Sequence, residues 1–547
     1  MQLKSAIRDI APERLIENSP GVEITGATHD SRCVKPGYLF FAVAGFKQDA
    51  KQFIADAIER GAVAVVCEKL PQQVDPTINY VQVANVRSVI GPVTRLIYSE
   101  PDSTQKIVAI TGTNGKTSVA YLLSNLLRAA GKTTTTIGTL GVDDGISIRN
   151  TGNTTPEATT LLSELRRVAD QGSTHTVMEV SSHALDLHRV TGIKFDALVF
   201  TNLSEEHLDF HGTMEDYYRS KKQLFTEHNQ TPAVIDIDTE YGARLATELK
   251  KADPQRTIIT TSVQSAATNK KNSNGTVDDA EMPIADIVAS EIKTDLNGSK
   301  FTVNNNLTGV VHSVSTKWLG VHNINNSLLA LTVSELLDIP SDDAIGALAV
   351  AEIVPGRTKP VENSSGLHIF IDYAHTPDAI VTAVNSLKTL STKPLTLVFG
   401  VPGDRGVAGW QRLAHTAAKT ADHIILTEDD MKESTLEECF SVAGQQLTED
   451  GANWQLIPNR WDAIAAATSR AQQRGDTVLI TGIGHQNTLI LADGAGTITI
   501  DEQAAVKLAI AGGNPRELDP RNSDIDEPSR KTSKLSTVTG NTHKNKD

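Results

Sequence analysis

The chain has 547 residues, enough for about three to four domains on a prior of ~150 residues each, and its 39% hydrophobic content can fill real cores. Aromatics make up only 4%, so aliphatic side chains must do most of the packing. A formal net charge of −15 excludes a general nucleic-acid binder, which needs a basic face, but it leaves anionic small substrates open, because a few lysines and arginines can reverse the field inside a cleft.

The N-terminus MQLKSAIRDI lacks the apolar core of a signal peptide, and no run of ~18 apolar residues offers a membrane span. Cys33, Cys67 and Cys439 are far apart and form no C-x-x-C pair, which suits a reducing cytoplasm without a disulfide or zinc framework.

In chain order, residues 1–100 alternate apolar strands, LFFAVAG (39–45) and VAVVCEK (63–69), with a helix over Asp49–Arg60, so an α/β unit with a parallel sheet is predicted. Tyr98–Thr104 reads as a linker. A second block, 101–340, opens on the apolar run KIVAI and carries further strands near Thr176–Val180 and Ala197–Thr201, with a polar excursion over 261–281. A third, 341–512, has strands at His368–Asp372, Leu395–Phe399, His423–Leu426 and Thr477–Thr481, separated by helical stretches. From Gly513 to Asp547 the chain turns polar and charged and reads as a disordered tail.

The segment Lys106–Ser118 carries the first chemistry. The strand KIVAI is followed at once by Gly112-Thr113-Asn114-Gly115-Lys116-Thr117, then by a helix from Ser118 with Val119, Leu122, Leu123, Leu126 and Leu127 on one face. A glycine turn between strand and helix lets backbone N–H groups and the helix N-terminus face phosphate oxygens. Lys116 can neutralise β- and γ-phosphate charge, and Thr117 can place a hydroxyl on Mg²⁺, so the loop predicts a bound nucleoside triphosphate. Phosphoryl transfer needs more oxygen ligands for the metal. Glu179, at the carboxyl end of a predicted strand, faces the crevice where ligands bind in such sheets, and His207 and Asp209 follow the next strand.

The motifs ITGTNGKTS, MEVSSHAL, FTNLSEEHLDFHGTMEDY, VPGR and DYAHTPDA, in this order, resemble the Mur ligases of peptidoglycan synthesis, and more narrowly their MurE type, over residues of about 25 to 495. The resemblance implies three α/β domains: an N-terminal domain for UDP, a central P-loop ATPase and a C-terminal Rossmann-like domain. It implies a cytoplasmic, monomeric enzyme that uses ATP and Mg²⁺ to join an amino acid to UDP-N-acetylmuramoyl-dipeptide. It also implies roles for particular residues. Lys116 and Thr117 would bind ATP phosphates and Mg²⁺, and Glu179 and His207 a second metal site. Lys221 matches a lysine that the family carbamylates, and the motif spacing favours it over Lys222. The modification makes chemical sense, because an ammonium has only donors whereas a carbamate offers acceptor oxygens. Asn323 and Asn326 resemble adenine-side residues, Arg357 a phosphate contact from the third domain, and Asp372 and His375 residues near the nucleotide.

For the nucleotide-linked substrate, Asp30-Ser31-Arg32 and Gly45-Phe46-Lys47-Gln48-Asp49 resemble uridine contacts. Asn153, Thr154 and Thr155 resemble the muramoyl site, and Ser181 and Arg189 further contacts, with Arg189 suited to hold a pyrophosphate or carboxylate bidentately. The amino-acid pocket departs from the family. Diaminopimelate-adding members carry Asp-Asn-Pro-Arg, where this chain has Asp429-Asp430-Met431-Lys432. Members often carry Gly-Lys-Gly-His-Glu, where this chain has Gly482-Ile483-Gly484-His485-Gln486. A lysine is no equal of an arginine as a carboxylate clamp, and Glu428, Asp429 and Asp430 favour a terminal amine, so L-lysine is the expected amino acid; the alternatives are a diaminopimelate-adding enzyme, a Mur-ligase paralogue with another amine substrate, and a nucleotide-binding regulatory protein with a decayed pocket.

Overall fold

The structure is a computed structural model and describes residues 1–43, 51–263, 284–354, 356–432, 434–484 and 486–522. It divides into two compact units. The first comprises 1–293, 299–316 and 321–351; the second comprises 294–298, 317–320 and 352 onward. Among the described residues no helix is long and apolar enough to cross a membrane.

The first unit holds two sheets. The smaller has five strands, β1 (Arg14–Ile16), β2 (Gly26–Thr28), β3 (Tyr38–Phe41), β4 (Ala62–Cys67) and β5 (Asn79–Gln82), in the order β1-β5-β4-β3-β2. All neighbours are parallel except β1 and β5. Leu39, Phe41, Ala64, Val66 and Val81 point to one core, while Phe40, Val65 and Tyr80 point to another, as period-two alternation requires of a sheet covered on both faces.

The larger sheet has eleven strands. They are β6 (Lys106–Thr111), β7 (Thr134–Gly138), β8 (Gly141–Asp143), β9 (Ile148–Arg149), β10 (His175–Glu179), β11 (Ala197–Phe200), β12 (Ala233–Asp236), β13 (Ile258–Val263), β14 (Ile287–Asp295), β15 (Gly298–Asn305) and β16 (Val310–Thr316). Their order is β16-β15-β14-β13-β12-β11-β6-β10-β7-β8-β9. From β7 to β14 the ladder is parallel and passes through β6, flanked by β10 and β11. The carboxyl ends of β6, β10 and β11 therefore lie side by side, and ligands bind beyond such ends in open α/β sheets.

The predicted linker Tyr98–Thr104 is packed rather than loose. Asp102 is buried, paired with Arg95 at 2.7 Å, and accepts the Lys194 amide at 2.8 Å. A buried carboxylate answered by a guanidinium and an N–H fixes the segment against the larger sheet's connections.

The second unit is built on a six-stranded sheet, β17 (Lys359–Pro360), β18 (Ile369–Asp372), β19 (Leu395–Phe399), β20 (His423–Leu426), β21 (Trp454–Leu456) and β22 (Thr477–Thr481), in the order β17-β18-β22-β19-β20-β21. Only β17 is antiparallel. A hairpin of β23 (Thr488–Ile490) and β24 (Thr497–Thr499) follows. The chain remains structured past Gly513, where composition alone starts a tail. Short 3-10 turns span Pro515–Leu518 and Pro520–Asn522, held by ion pairs that a composition reading cannot see.

Candidate functional site

The phosphate loop joins β6 to the helix Lys116–Ala129, whose N-cap is Gly115. Gly115 has φ +86°, and a Cβ there would fall 2.5 Å from Asn326 Oδ1, so glycine is needed both for the backbone and for the close approach. Asn326 accordingly lies against the loop, and its Nδ2 donates to Asn323 Oδ1 at 3.0 Å on the helix Val321–Leu336. Asn202, just after β11, fastens the loop's other side: its carbonyl accepts Thr113 N at 2.9 Å and its Oδ1 accepts Asn114 N at 2.9 Å. Lys116 Nζ reaches Gly112 O at 2.9 Å and Thr113 O at 2.7 Å. Ser118 is half-buried in the first turn of that helix.

Thr117 and Glu179 meet. The Thr117 hydroxyl donates to Glu179 Oε2 at 2.9 Å, and Glu179 Oε1 accepts Thr139 N at 2.8 Å. Glu179 is buried at the end of β10, so its carboxylate is oriented by neighbours rather than by solvent. The donor set of hydroxyl and carboxylate fits the preference of Mg²⁺ for oxygen. Among the described residues no group of three His, Cys, Asp or Glu stands ready to hold a metal, so phosphate and water oxygens would have to complete any shell.

Lys221 and Lys222 are consecutive in the helix Met214–Glu227 but point to different surroundings. Lys221 is 1% exposed, donates to Gly112 O at 2.8 Å and sits 4.6 Å from the Tyr217 ring centroid. Burial first, and then the Lys116 charge, hold its ammonium well below the usual lysine range. Lys222 faces away and pairs with Glu248 at 2.8 Å. As an amine, Lys221 has donors only, so it fits a metal only once carbamylated.

His207 lies near this group, with its ring 5.1 Å from His183 and its side chain 48% exposed. It takes φ +56° as N-cap of the short helix Leu208–His211. The Asp209 side chain lies outside what the structure describes. His211 is buried, contacts Ser182 Oγ at 2.9 Å and Asp186 at 3.4 Å, and stacks on Tyr217 at 4.7 Å. Tyr217 in turn touches the Thr113 hydroxyl at 3.3 Å, and burial raises its phenol to about 12. Thr139, Asn202, Tyr217 and His211 join the site without matching any of the motifs' assigned roles. The readable signal lay in polar residues directly after β7 and β11 and in a Tyr-Tyr pair beside Lys221.

A second set lies around Thr155. Its hydroxyl donates to Glu179 O at 2.9 Å and accepts Ser181 N at 3.1 Å, which links the muramoyl-like motif to β10. Ser181 caps the next helix by accepting Ala184 N. Arg189 donates to Thr155 O at 2.9 Å and pairs with Glu157 at 2.7 Å, while its buried Nε has no partner. Thr154 Oγ1 is 3.3 Å from Thr139 Oγ1, and Asn153 is exposed beside it. Ser31 is buried in a 3-10 turn capped by Asp30, and nearby His29 reaches Thr159 Oγ1 at 3.1 Å, which sets this turn against the first turn of the helix Ala158–Asp170. Phe46, Lys47 and Gln48 lie outside the described residues.

In the second unit, Arg357 is exposed and Asp372 is buried at the end of β18, where it accepts Thr358 N and Oγ1 and Ala374 N. Burial pushes the Asp372 carboxyl up. His375 Nδ1 lies 2.7 Å from Tyr373 O. The loop after β20 carries Asp429, Asp430 and Lys432. Asp430 Oδ1 accepts Ile490 N at 2.8 Å, and Lys432 is paired with Asp404. Asp429 is buried against Gly482, where φ is +111° and a Cβ would lie 2.2 Å from Asp429 Oδ2. Burial raises its carboxyl to about 6. Gln486 Nε2 donates to Tyr373 Oη at 2.9 Å, and His485 lies outside the described residues.

Residues 110–334 match the Mur ligase middle domain, 356–484 the Mur ligase, glutamate ligase domain, and 23–95 the Mur ligase family, catalytic domain. The chain is similar, at 34% identity over 93% of its length and 99% of the relative's, to the UDP-N-acetylmuramoyl-L-alanyl-D-glutamate--2,6-diaminopimelate ligase of Caldanaerobacter subterraneus subsp. tengcongensis. It belongs to the Mur ligase family, in its MurE type. The likewise named Listeria monocytogenes protein is 33% identical over 90% of this Mur ligase and 96% of its own chain. A solved structure of a ligase with that name superposes at TM-score 0.69 and 27% identity, covering 94% of this chain and 99% of that one. The Thermotoga maritima MurF ligase, solved in complex with ADP, shares the fold alone, at TM-score 0.53 and 19% identity over 92% of this chain and all of its own. This Mur ligase has the family's three-domain α/β architecture and is an ATP-dependent ligase that forms peptide bonds.

Proposed function

We propose that this Mur ligase adds L-lysine to UDP-N-acetylmuramoyl-L-alanyl-D-glutamate. A terminal carboxylate oxygen of that substrate attacks the γ-phosphorus of ATP, the bond to the ADP oxygen breaks, and an acyl phosphate results. The amine nitrogen of the amino acid then attacks the acyl carbon, phosphate departs and the nitrogen loses a proton. Phosphorylation supplies the leaving group that a carboxylate lacks, and the protein contributes positioning and charge neutralisation.

Lys116 holds the triphosphate, with Gly112–Gly115 presenting the loop to it. Mg²⁺, held by Thr117 and Glu179, would neutralise phosphate charge. Carbamylated Lys221, with His207, would supply the second set of metal ligands. Asn323 and Asn326 are assigned to the adenine, and Arg357 and Asp372 to the nucleotide as well. Ser31, Phe46, Lys47 and Gln48 take the uridine, Asn153–Thr155 the muramoyl group, and Ser181 and Arg189 the peptide carboxylates. The observation that carries this reading is the gathering of Lys116, Thr117, Glu179 and a buried, weakly basic Lys221 around one loop.

The choice of lysine rests on Lys432. A single ammonium already paired with Asp404 cannot form the two-pronged clamp that arginine gives a distal carboxylate. The names of the relatives support diaminopimelate as the second reading. Phosphate release is measured with ATP, Mg²⁺, UDP-N-acetylmuramoyl-L-Ala-D-Glu and single amino acids. L-lysine is expected to drive release. Release with diaminopimelate but not lysine reverses the choice, and release with neither sinks the substrate assignment.

A further inference from the structure

The ordered segment Asn514–Asn522 lies against the loop read above as the amino-acid pocket. Asp519 is nearly fully buried and accepts Arg521 N at 3.0 Å, Arg521 Nη2 at 2.8 Å and Asn459 Nδ2 at 2.8 Å. So held, the Arg521 guanidinium lies 5.3 Å from the Trp461 ring centroid and forks onto Glu428, with Nη1 to Oε2 at 2.9 Å and Nη2 to Oε1 at 2.8 Å. The Glu428 side chain is only 4% exposed. Its Oε1 also accepts Arg460 N at 3.0 Å, and its carbonyl accepts Arg460 Nη1 at 3.0 Å.

Arg460 is itself fully buried and ion-paired to Glu502 at 2.6 Å. Its guanidinium is spent on Glu502 and on the Glu428 and Thr481 carbonyls, so the two-pronged contact on the Glu428 carboxylate comes from Arg521. Without that fork, the buried carboxylate would lose its two-pronged partner and swing toward water, because leaving a buried charge short of partners is costly. Glu428 is joined by successive peptide bonds to Asp429 and Asp430, so its movement would displace both.

We propose that Arg521 is a positioning residue for amino-acid selection. Through its fork onto Glu428, the C-terminal segment straps the loop Glu428–Lys432 in place. This inference rests on the reading of that loop as the amino-acid pocket.

The test uses the full-length chain with Arg521→Met, which removes the fork and keeps much of the side-chain stem. Phosphate release is followed with ATP and UDP-N-acetylmuramoyl-L-Ala-D-Glu saturating and the accepted amino acid, L-lysine or diaminopimelate, varied. The expected result is an amino-acid KM raised about tenfold, with KM for ATP and for the nucleotide substrate within about twofold of wild type. Combining it with Glu428→Gln should recover part of the loss, since a neutral amide needs no counter-charge. A merely structural defect would lower kcat and leave the amino-acid KM alone. An amino-acid KM within about twofold of wild type overturns the strap. Arg521→Lys is read by the same criterion if the methionine variant does not fold. Lys432→Ala reports on the pocket separately: an unchanged amino-acid KM there, with a raised one in Arg521→Met, removes Lys432 from the pocket and leaves the strap standing.

Discussion

The phosphate loop and the loop proposed for the amino acid are both crowded with charge, but the charges are used differently. Around Gly112–Thr117, side chains from β10, two helices and the residue after β7 converge so that oxygens and nitrogens face one another across a few ångströms: Thr117 on Glu179, Lys116 and Lys221 on the same Gly112 carbonyl. Around Asp429–Lys432, most charges are already consumed by scaffold contacts, with Asp430 on a backbone N–H and Lys432 on Asp404. The first arrangement suits a reaction whose geometry has little slack. The second is a loop on a finished sheet, where residue identity can change without dismantling the core, which is where selectivity can diverge.

The largest effect is expected on the phosphate side. Lys221→Ala should cut turnover by at least ~10²-fold, with partial rescue by added short carboxylates, as followed by phosphate release. Full turnover would refute the carbamate reading. Glu179→Gln should cost ~10- to 100-fold and raise the Mg²⁺ concentration needed for half-maximal rate, since one metal-facing oxygen becomes an amide.

On the amino-acid side, Lys432→Arg should improve kcat/KM for diaminopimelate over lysine by about tenfold, because the fork regains bidentate contact. No shift in that ratio would place selectivity elsewhere.

A smaller effect concerns stability. Asp236, at the end of β12, is raised to about 7 by burial and then by Asp238, and it also accepts Asn325 Nδ2. A carboxyl whose folded pKa lies above its unfolded value of ~4 favours the fold below that value, and the benefit is lost as pH rises through about 7. Asp236→Asn should therefore be more stable than wild type at pH 8, by roughly 1 to 4 kcal/mol in unfolding free energy, with the gain gone near pH 4. An equal gain at both pH values would contradict the titration. The smallest effect is expected from Lys222→Ala, whose half-exposed ion pair with Glu248 is outside the site; turnover should stay within about twofold.

Much of this was legible in the chain. KIVAI followed by the glycine turn and a leucine-faced helix fixed β6, the loop and Lys116–Ala129, because local periodicity and turn chemistry agree there. The strands Leu395–Phe399, His423–Leu426 and Thr477–Thr481 fall where their apolar runs predict. Other features depended on partners distant in sequence. Tyr98–Thr104 reads as a linker until Asp102 meets Arg95 and the Lys194 amide, and 513–522 reads as tail until Arg521 meets Glu428.

The sequence by itself determined the strands with strong apolar runs, the phosphate loop and the family motifs, since these rest on spacing within a few residues. Only the tertiary structure decided that Lys221 is buried while Lys222 faces Glu248, that Thr117 and Glu179 share a hydrogen bond, and that Tyr217 walls the buried amine. Burial and charge pairing are properties of neighbours brought together from distant parts of the chain, and no local pattern encodes them.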